Sequence, residues 1–308
     1  MNPLTLYYQE YLLHSLGRCV AKRIRVYTKD MGLAFFIPAL CVLIGYSYAD
    51  VFQATLLPSR ITPGDAFLVK VSDAGEQELP AAFVNGKEIP LTSCGQRCLI
   101  GIGAVSLETK PGRHLIHLQI GEKSIQLPLL VKRAHFPTLF LTLPKEKVFL
   151  SPDDLERAER EEERLRSIWM TVTGRLWEGP FLFPLDHSIS TAFGAKRVMN
   201  RKVTSIHKGV DIRGKEGDGV RASNHGKVVL AEELFFGGNT VILDHGQGIF
   251  TMYMHLSSFN VRPDDIVSTG DIIGSVGSTG RSSGPHLHFG AKIRGISVNP
   301  VSLVKLMQ

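Results

Sequence analysis

The stretch Ser282-Ser283-Gly284-Pro285-His286-Leu287-His288-Phe289 decides how the last third of the chain is read. After the Gly-Pro pair, polar and apolar residues alternate, which predicts a β-strand. Side chains two residues apart on a strand point to the same face, so His286 and His288 should project together. Two upstream segments, His207-Lys208-Gly209-Val210-Asp211 and Tyr253-Met254-His255-Leu256, add two more histidines and a carboxylate.

These residue types predict a metal site. Imidazole and carboxylate groups suit Zn²⁺, and a catalytic zinc has three protein ligands and one open position. His207 and Asp211 are four residues apart, so they share a side whether the segment is extended or helical. Gly209 and the β-branched Val210 favour an extended or looped segment.

In this order, the three motifs resemble those of the lysostaphin-type (LytM-type) zinc metallopeptidases, which cleave peptidoglycan peptides. The resemblance covers roughly residues 180–303. It implies a compact β-groove fold and one zinc ion per chain. The implied zinc ligands are His207, Asp211 and His288.

The same resemblance implies that His255 and His286 are catalytic residues that do not bind the metal. Histidine can take and give a proton near neutral pH, so these two would act as base and acid or steady the oxyanion. The sequence does not divide those roles between them. Gly290 stands where the family more often has Glu, but this position lies outside the metal set.

The chain of 308 residues is long enough for two ordinary domains. We predict a mainly β protein in which an immunoglobulin-like β-sandwich precedes a connector helix and a C-terminal antiparallel metallopeptidase domain. The predicted divisions are a signal peptide at 1–49, the β-sandwich at 50–134, the connector at 135–179 with a helix at about 152–169, and the zinc peptidase domain at 180–308.

The N-terminal segment has the pattern of a secretory signal. An apolar run from Met31 to Gly45 follows a basic region and ends in Ser47-Tyr48-Ala49, with small residues at the positions that a signal peptidase reads. We therefore predict cleavage after Ala49 and export to the periplasm or cell envelope. The alternative is an uncleaved inner-membrane anchor formed by residues 31–49.

Two cysteines remain after the predicted cleavage site. Cys94 and Cys98 are four residues apart, and in an exported chain such a pair is typical of a disulfide that closes a tight loop. Zinc binding by this pair is disfavoured, because no second pair of ligands stands near it in the sequence.

Residues 51–134 carry short β-prone runs separated by turn residues. Asn85-Gly86 is a strong two-residue hairpin signal, and Pro63-Gly64 and Pro111-Gly112 mark further turns. Several short strands at close spacing predict a β-sandwich of immunoglobulin-like type. No cluster of metal-ligand or paired acidic residues appears there, so we expect this region to position or bind rather than catalyse.

A charged helix follows. Ser151 is an N-cap residue, Pro152 suits the first helical position, and acidic residues occupy the first turn. Its apolar stripe, which includes Leu165 and Trp169, should pack against a neighbouring domain. The many carboxylates are interpreted as a solvated face rather than as a catalytic pair.

The last domain alternates β-prone runs with glycine-rich turns, which predicts a compact antiparallel β-fold. Three of its histidines, His187, His225 and His245, fall near turns and are expected to be surface or turn residues.

Charge excludes a nucleic-acid role. The net charge is +6, but half of it lies in the first 30 residues, and basic residues do not cluster with aromatic ones in the later domains. Any contact with a membrane is expected only through the N-terminal segment, if it stays uncleaved.

The leading functional hypothesis is an exported zinc endopeptidase that hydrolyses cross-links or stem peptides of peptidoglycan. The alternative is a non-catalytic scaffold or activator of another wall hydrolase, and a protein regulator of the enzyme is a further expected partner. All five site positions are occupied by suitable residues, which favours the enzyme. A zinc hydrolase acting on another substrate is a third hypothesis.

Overall fold

The computed structural model describes residues 52–73, 81–121, 123–142 and 149–308. The predicted signal peptide or anchor at residues 1–49 lies outside the described residues. Within the described ranges, no helix combines the length and the apolar character that crossing a membrane requires.

The first part of the described chain forms two β-sheets. Their strand orders are β1-β3-β7-β6 and β2-β9-β8-β4-β5. The strands are β1 Gln53–Leu57, β2 Arg60–Ile61, β3 Ala66–Ser72, β4 Ala81–Val84, β5 Lys87–Ile89, β6 Thr92–Gly95, β7 Cys98–Ala104, β8 Gly112–Ile120 and β9 Lys123–Val131.

The apolar periodicity of these strands explains how the two sheets pack. In β8, Ile116, Leu118 and Ile120 are buried and alternate with exposed residues. They belong to one apolar cluster together with Phe67 and Val69 of the other sheet. The mainly β class is thereby confirmed, while the immunoglobulin-like topology stays a prediction.

Two local predictions can be followed in these sheets. Asn85 and Gly86 both adopt positive φ, 49° and 76°, between β4 and β5, as a tight hairpin turn requires. Cys94 and Cys98 are joined in a disulfide across the β6–β7 hairpin. The sequence predicted both features from local spacing alone.

The connector contains strand β10 (Thr138–Leu141) and helix α1 (Pro152–Met170). Ser151 caps the helix by accepting a hydrogen bond from the Asp154 backbone N–H at 3.1 Å. At the other end, the Trp169 ring packs edge-on against Phe250, with 5.4 Å between centroids. The helix therefore packs along one apolar side, as its thin stripe predicted.

The C-terminal part is built on a ten-stranded sheet. Its main path is β11-β14-β21-β18-β17-β16-β19, with β15, β20 and β22 attached at the side. The strands of this part are β11 Ile189–Thr191, β12 Lys196–Met199, β13 Val203–Ile206, β14 Gly209–Arg213, β15 Gly219–Arg221, β16 Gly226–Leu234, β17 Gly238–Asp244, β18 Ile249–Phe259, β19 Ile266–Val267, β20 Ile272–Val276, β21 His286–Ile293 and β22 Ile296–Val298. Helix α2 (Pro300–Val304) and a 3₁₀ turn (Lys305–Met307) end the chain.

A small sheet with the order β10-β12-β13 lies outside that path. Strands β12 and β13 form an antiparallel hairpin, but β10 pairs with β12 in parallel. The strand pairs within residues 180–308 are all antiparallel, as predicted, and the parallel pair joins that domain to a strand of the connector. A parallel pair needs a long crossover, and more than fifty residues separate β10 from β12 along the chain.

The faces of strand β21 divide the core from the site. Leu287 and Phe289 are fully buried and point into the main apolar cluster, while His286 and His288 occupy the opposite face. Phe289 also packs against Tyr253 of β18, at 5.5 Å between ring centroids. Packing of Leu287 and Phe289 into the core therefore fixes the position of strand β21, and with it the positions of both histidines on the opposite face.

The N-terminal sheets contact the end of the chain. The Asn299 side chain caps α2 by accepting a hydrogen bond from Val301 N–H, and it donates another to Asp65 at 3.0 Å. The Asn299 backbone N–H also donates to Gly64 at 2.7 Å. The last helix is thus tied directly to the β3 end of the N-terminal sheets.

His245 is not the surface residue that its turn context predicted. It is fully buried, and its Nδ1 donates to the His225 carbonyl at 2.8 Å. Its Nε2 accepts from the Thr251 hydroxyl at 2.7 Å, and that hydroxyl meets the Tyr253 hydroxyl at 2.9 Å. This network is satisfied by a neutral imidazole, and burial lowers the pKa of His245 to about 4.

Stability should therefore fall on acidification through His245. His245 has a pKa of about 6.5 in the unfolded state and about 4 in the folded state. Between these two pH values, the unfolded state binds a proton that the folded state does not bind. The expected loss in the free energy of unfolding approaches about 3 kcal/mol across that window. Urea unfolding of metal-free protein at pH 7, 6 and 5 measures the slope.

His245→Gln, which does not titrate, is the matched variant. It should be less stable at pH 7 but lose less stability on acidification than the wild type, because the other histidines are unchanged. Parallel pH profiles for the two proteins would contradict this role of His245.

Candidate metal centre and active site

Three donor atoms meet at one point on the site face of the sheet. Nε2 of His207 lies 2.9 Å from Oδ1 of Asp211 and 3.0 Å from Nδ1 of His288, and the last two atoms are 2.9 Å apart. All three residues are at most 9% exposed. The structure thus brings together the three residues that the sequence predicted as metal ligands.

Backbone pairing positions the cluster. Asp211 on β14 is the direct register partner of His288 on β21. His207 precedes β14, and its Nδ1 donates to the Ala192 carbonyl at 2.9 Å, which leaves Nε2 to face the cluster. Gly209 is required beside it, because a Cβ there would lie 2.6 Å from Nε2 of His288.

The donor set fits a zinc ion. Four-coordinate zinc with bonds of about 2.0–2.1 Å separates neighbouring donors by about 3.3 Å, and these donors already lie near that spacing. Burial would raise the pKa of Asp211, but the contacts of its carboxylate with His207 and His288 outweigh burial and hold that pKa below its usual range. Burial lowers the pKa of His288, so its imidazole is neutral. A carboxylate and neutral imidazoles are the ionisation states that metal binding needs.

The two predicted catalytic histidines lie next to this cluster. The His286 and His255 rings are 4.8 Å apart between centroids, and the His255 ring is 6.1 Å from that of His288. Nε2 of His286 lies 3.8 Å from Oδ1 of Asp211. The structure therefore groups all five predicted residues around one position.

Backbone carbonyl groups orient both histidines. His286 Nδ1 donates to the Gly284 carbonyl at 2.8 Å, and His255 Nδ1 donates to the Thr279 carbonyl at 2.9 Å. With Nδ1 engaged in each ring, both Nε2 atoms are the proton acceptors. Burial, together with the neighbouring His288 and His286, lowers the pKa of His255 to about 3, so this ring is neutral.

His255 reaches the site through an irregular backbone. Along β18, Thr251 and Tyr253 face the buried core, and simple alternation would send His255 the same way. His255 instead has φ of 65°, and its backbone N–H donates to the Gly237 carbonyl at 2.8 Å. A left-handed residue of this kind re-aims a side chain, and such strained positions concentrate at functional sites.

Arg197 is a site residue that the sequence reasoning missed. It lies on β12, and its guanidinium donates to Oδ2 of Asp211, the carboxylate oxygen that faces away from the histidines. β12 is held between β10 and β13. Nothing in the spacing of the motifs marks an arginine ten residues before His207 as a partner of the ligand carboxylate.

Removal of this contact should weaken metal binding. Arg197 fixes the orientation of Asp211, and loss of such an outer contact typically costs about 10–100-fold in metal affinity. Arg197→Ala should therefore release zinc to a chromophoric chelator at correspondingly lower chelator concentration, with Arg197→Lys intermediate. Lys196→Ala, on the opposite face of the same strand, is the matched control. Wild-type affinity in Arg197→Ala would exclude a role for this contact.

The comparisons with known proteins agree with this geometry. Residues 205–300 match the family model described as Peptidase family M23. The DD-carboxypeptidase/endopeptidase Mpg of Neisseria meningitidis is 42% identical over 115 residues, which are 37% of this chain and 26% of that protein. The peptidoglycan DD-endopeptidase ShyA of Vibrio cholerae is 38% identical over 120 residues, which are 38% of this chain and 28% of that protein. This chain thus spans little more than a quarter of the length of these relatives.

Among solved structures, a bacterial peptidase is similar to this chain over most of its length. A crystal structure from Pseudomonas aeruginosa, named as a peptidase M23, has a TM-score of 0.61 and 28% identity. The match covers 80% of this chain and 96% of that one. The likeness therefore extends beyond the catalytic sheet.

Proposed function

This chain carries a domain of peptidase family M23, and from that premise we propose that it is an exported zinc endopeptidase that hydrolyses peptide bonds of peptidoglycan. The observation that carries the proposal is the convergence of His207, Asp211 and His288 with two further histidines beside them. The names of the relatives Mpg and ShyA support peptidoglycan peptides as the substrate class.

The reaction needs an activated nucleophile, a polarised carbonyl and a proton for the leaving amine. A zinc ion held by His207, Asp211 and His288 would supply Lewis acidity toward water and the scissile carbonyl. The chain itself supplies the proton carriers. Both rings lie beside the metal cluster with Nδ1 bound to a backbone carbonyl, so Nε2 of either ring can take the proton of the attacking water. Once protonated, the same imidazole can pass that proton to the leaving amine or hold the oxyanion by a hydrogen bond.

Export is part of the proposal, with location in the periplasm or cell envelope. The Cys94–Cys98 disulfide supports it, because such bonds persist in oxidising compartments. Cell fractionation with an epitope at the C-terminus tests this point. Protein found only in the cytosol with both thiols free would overturn export.

The activity is tested with purified wall. Residues 50–308 should release soluble, dye-labelled fragments from isolated peptidoglycan, lose that activity with a chelator, and regain it with zinc. A scaffold protein, the competing hypothesis, would release nothing under any of the three conditions. Release that is indifferent to the chelator would overturn the zinc mechanism.

A further inference from the structure

The loop between β20 and β21 carries an arginine beside the two catalytic histidines. Thr279 of this loop accepts the hydrogen bond from His255 Nδ1, and the Ser282 hydroxyl lies 3.3 Å from His286 Nδ1. Arg281 lies between these two residues in the chain. Its side chain therefore starts within a few ångströms of the groups that orient both imidazoles.

An aromatic platform fixes the Arg281 side chain. Its Cζ lies 4.1 Å from the centroid of the Phe236 ring, and its backbone N–H donates to the Phe236 carbonyl at 3.0 Å. The next residue, Gly237, accepts the hydrogen bond from the His255 backbone N–H. A guanidinium placed over a ring in this way keeps its N–H groups available for other partners.

No acidic side chain in the described ranges forms an ion pair with Arg281. It is half-buried, and burial, reinforced by the charge of Arg197, lowers its pKa. Half-burial of a guanidinium beside another arginine is unfavourable unless an anion joins them. Arg281 lies close enough to Arg197, which contacts the ligand carboxylate of Asp211, for a negative group bound at the active site to be favourable to both arginines.

Other charges around the site have the same sign. Arg197 contacts Asp211, and Arg213 is the register partner of His286 on the neighbouring strand. Asp211 is the one carboxylate of the metal cluster in the described part of the chain, and a divalent metal would more than neutralise it. The field at the site therefore favours an anionic peptide over a neutral or cationic one.

We propose that Arg281, stacked on Phe236, binds a carboxylate of the peptide substrate close to the scissile bond. The proposal rests on the proposed peptidase function and adds a substrate preference to it. An extended peptide advances about 3.3 Å per residue, so an arginine beside the catalytic histidines reaches a carboxylate one or two residues from the cleaved bond. Guanidinium and carboxylate match in a two-point contact.

Two synthetic stem peptides that differ in one group test this subsite. One carries a free carboxylate next to the scissile residue, and the other carries the amide at the same place. Wild-type enzyme should prefer the free acid by about 10–100-fold in kcat/KM, as expected for a charge-assisted contact. Arg281→Gln should lose this preference mainly through a higher KM for the acid, and Arg281→Lys should keep part of it.

Matched variants separate recognition from folding. Arg262→Gln removes an exposed arginine from the loop between β18 and β19 and should leave the preference unchanged. Phe236→Leu removes the platform but keeps the guanidinium, so its preference should be intermediate. Zinc content and melting temperature are recorded for every variant, which identifies any that fail to fold.

The outcomes are distinct. Equal cleavage of both peptides by wild-type enzyme, or an unchanged preference in Arg281→Gln, overturns the subsite and leaves the proposed function standing. Failure of the wild type to cleave either peptide or purified wall overturns the proposed function and the subsite with it. A fall in kcat/KM of Arg281→Gln by the same factor for both peptides assigns Arg281 a structural role and overturns carboxylate recognition.

Discussion

Replacing His288 by alanine is expected to empty the metal centre and to abolish peptide hydrolysis. Wild-type protein should hold about one zinc ion per chain, because a catalytic zinc has three protein ligands and one open position. His288 supplies the donor Nδ1, which is largely buried and lies 2.9 Å from Oδ1 of Asp211. Two remaining protein donors are too few to retain zinc through dialysis.

Asp211→Ala should have the same result for an additional reason. It removes the carboxylate of the cluster and leaves the Arg197 guanidinium facing the centre without its partner. That uncompensated positive charge repels a cation. His187→Ala, an exposed histidine in the same domain, is the matched control and should retain both zinc and activity.

Metal content by mass spectrometry and hydrolysis of a stem peptide measure these effects on the same preparations. Activity should fall below detection in both ligand variants while the secondary structure persists. Full zinc occupancy together with wild-type turnover in either variant would show that the ligand assignment is wrong.

Replacing His286 or His255 should separate catalysis from metal binding. Each change is expected to lower kcat by about 10²–10⁴-fold, the usual loss when one proton carrier is removed. Zinc content should stay near the wild-type value, because neither ring supplies a donor to the cluster. His286→Ala and His255→Ala are therefore the counterparts of the ligand variants.

A second variant of His255 is needed because alanine is unfavourable in the backbone conformation of this residue. Its φ of 65° is a conformation that Asn tolerates better than Ala. His255→Asn therefore keeps the local backbone while removing the imidazole, and it should be as slow as His255→Ala. Wild-type turnover in either His255 variant would show that this residue serves only in packing.

The predictable part of the site follows from strand alternation and close spacing. His286 and His288 share a face because they are two apart on β21, and Asp211 faces the cluster because β14 pairs with β21 in register. The Cys94–Cys98 bridge and the Asn85-Gly86 turn are local in the same sense. Short-range geometry is what a single sequence expresses most directly.

The parts that the sequence did not predict depend on distant segments. Arg197 contacts Asp211 because the β12–β13 hairpin, to which β10 pairs, brings β12 next to the metal cluster. No local sequence pattern encodes that contact. His245 has the surroundings of a turn residue, yet its burial is set by Phe181 and by the Thr251–Tyr253 hydroxyls. Tertiary packing decides such positions.

For His255, the family resemblance and the strand periodicity lead to different predictions. The motif Tyr253-Met254-His255-Leu256 marked the residue as catalytic by resemblance. Alternation along β18 would have turned it toward the core, and only its left-handed backbone directs it to the site. A resemblance therefore identified a residue whose geometry the periodicity alone would have misplaced.

Mass analysis of the peptides released from purified peptidoglycan tests the central claim most directly. Digestion by residues 50–308 loaded with zinc should create new amino and carboxyl ends within the peptides and no new reducing sugar ends. His286→Ala carrying zinc should create far fewer of these ends, and His288→Ala should create none. New sugar ends, or unchanged muropeptides after digestion with the zinc-loaded wild type, would contradict the account.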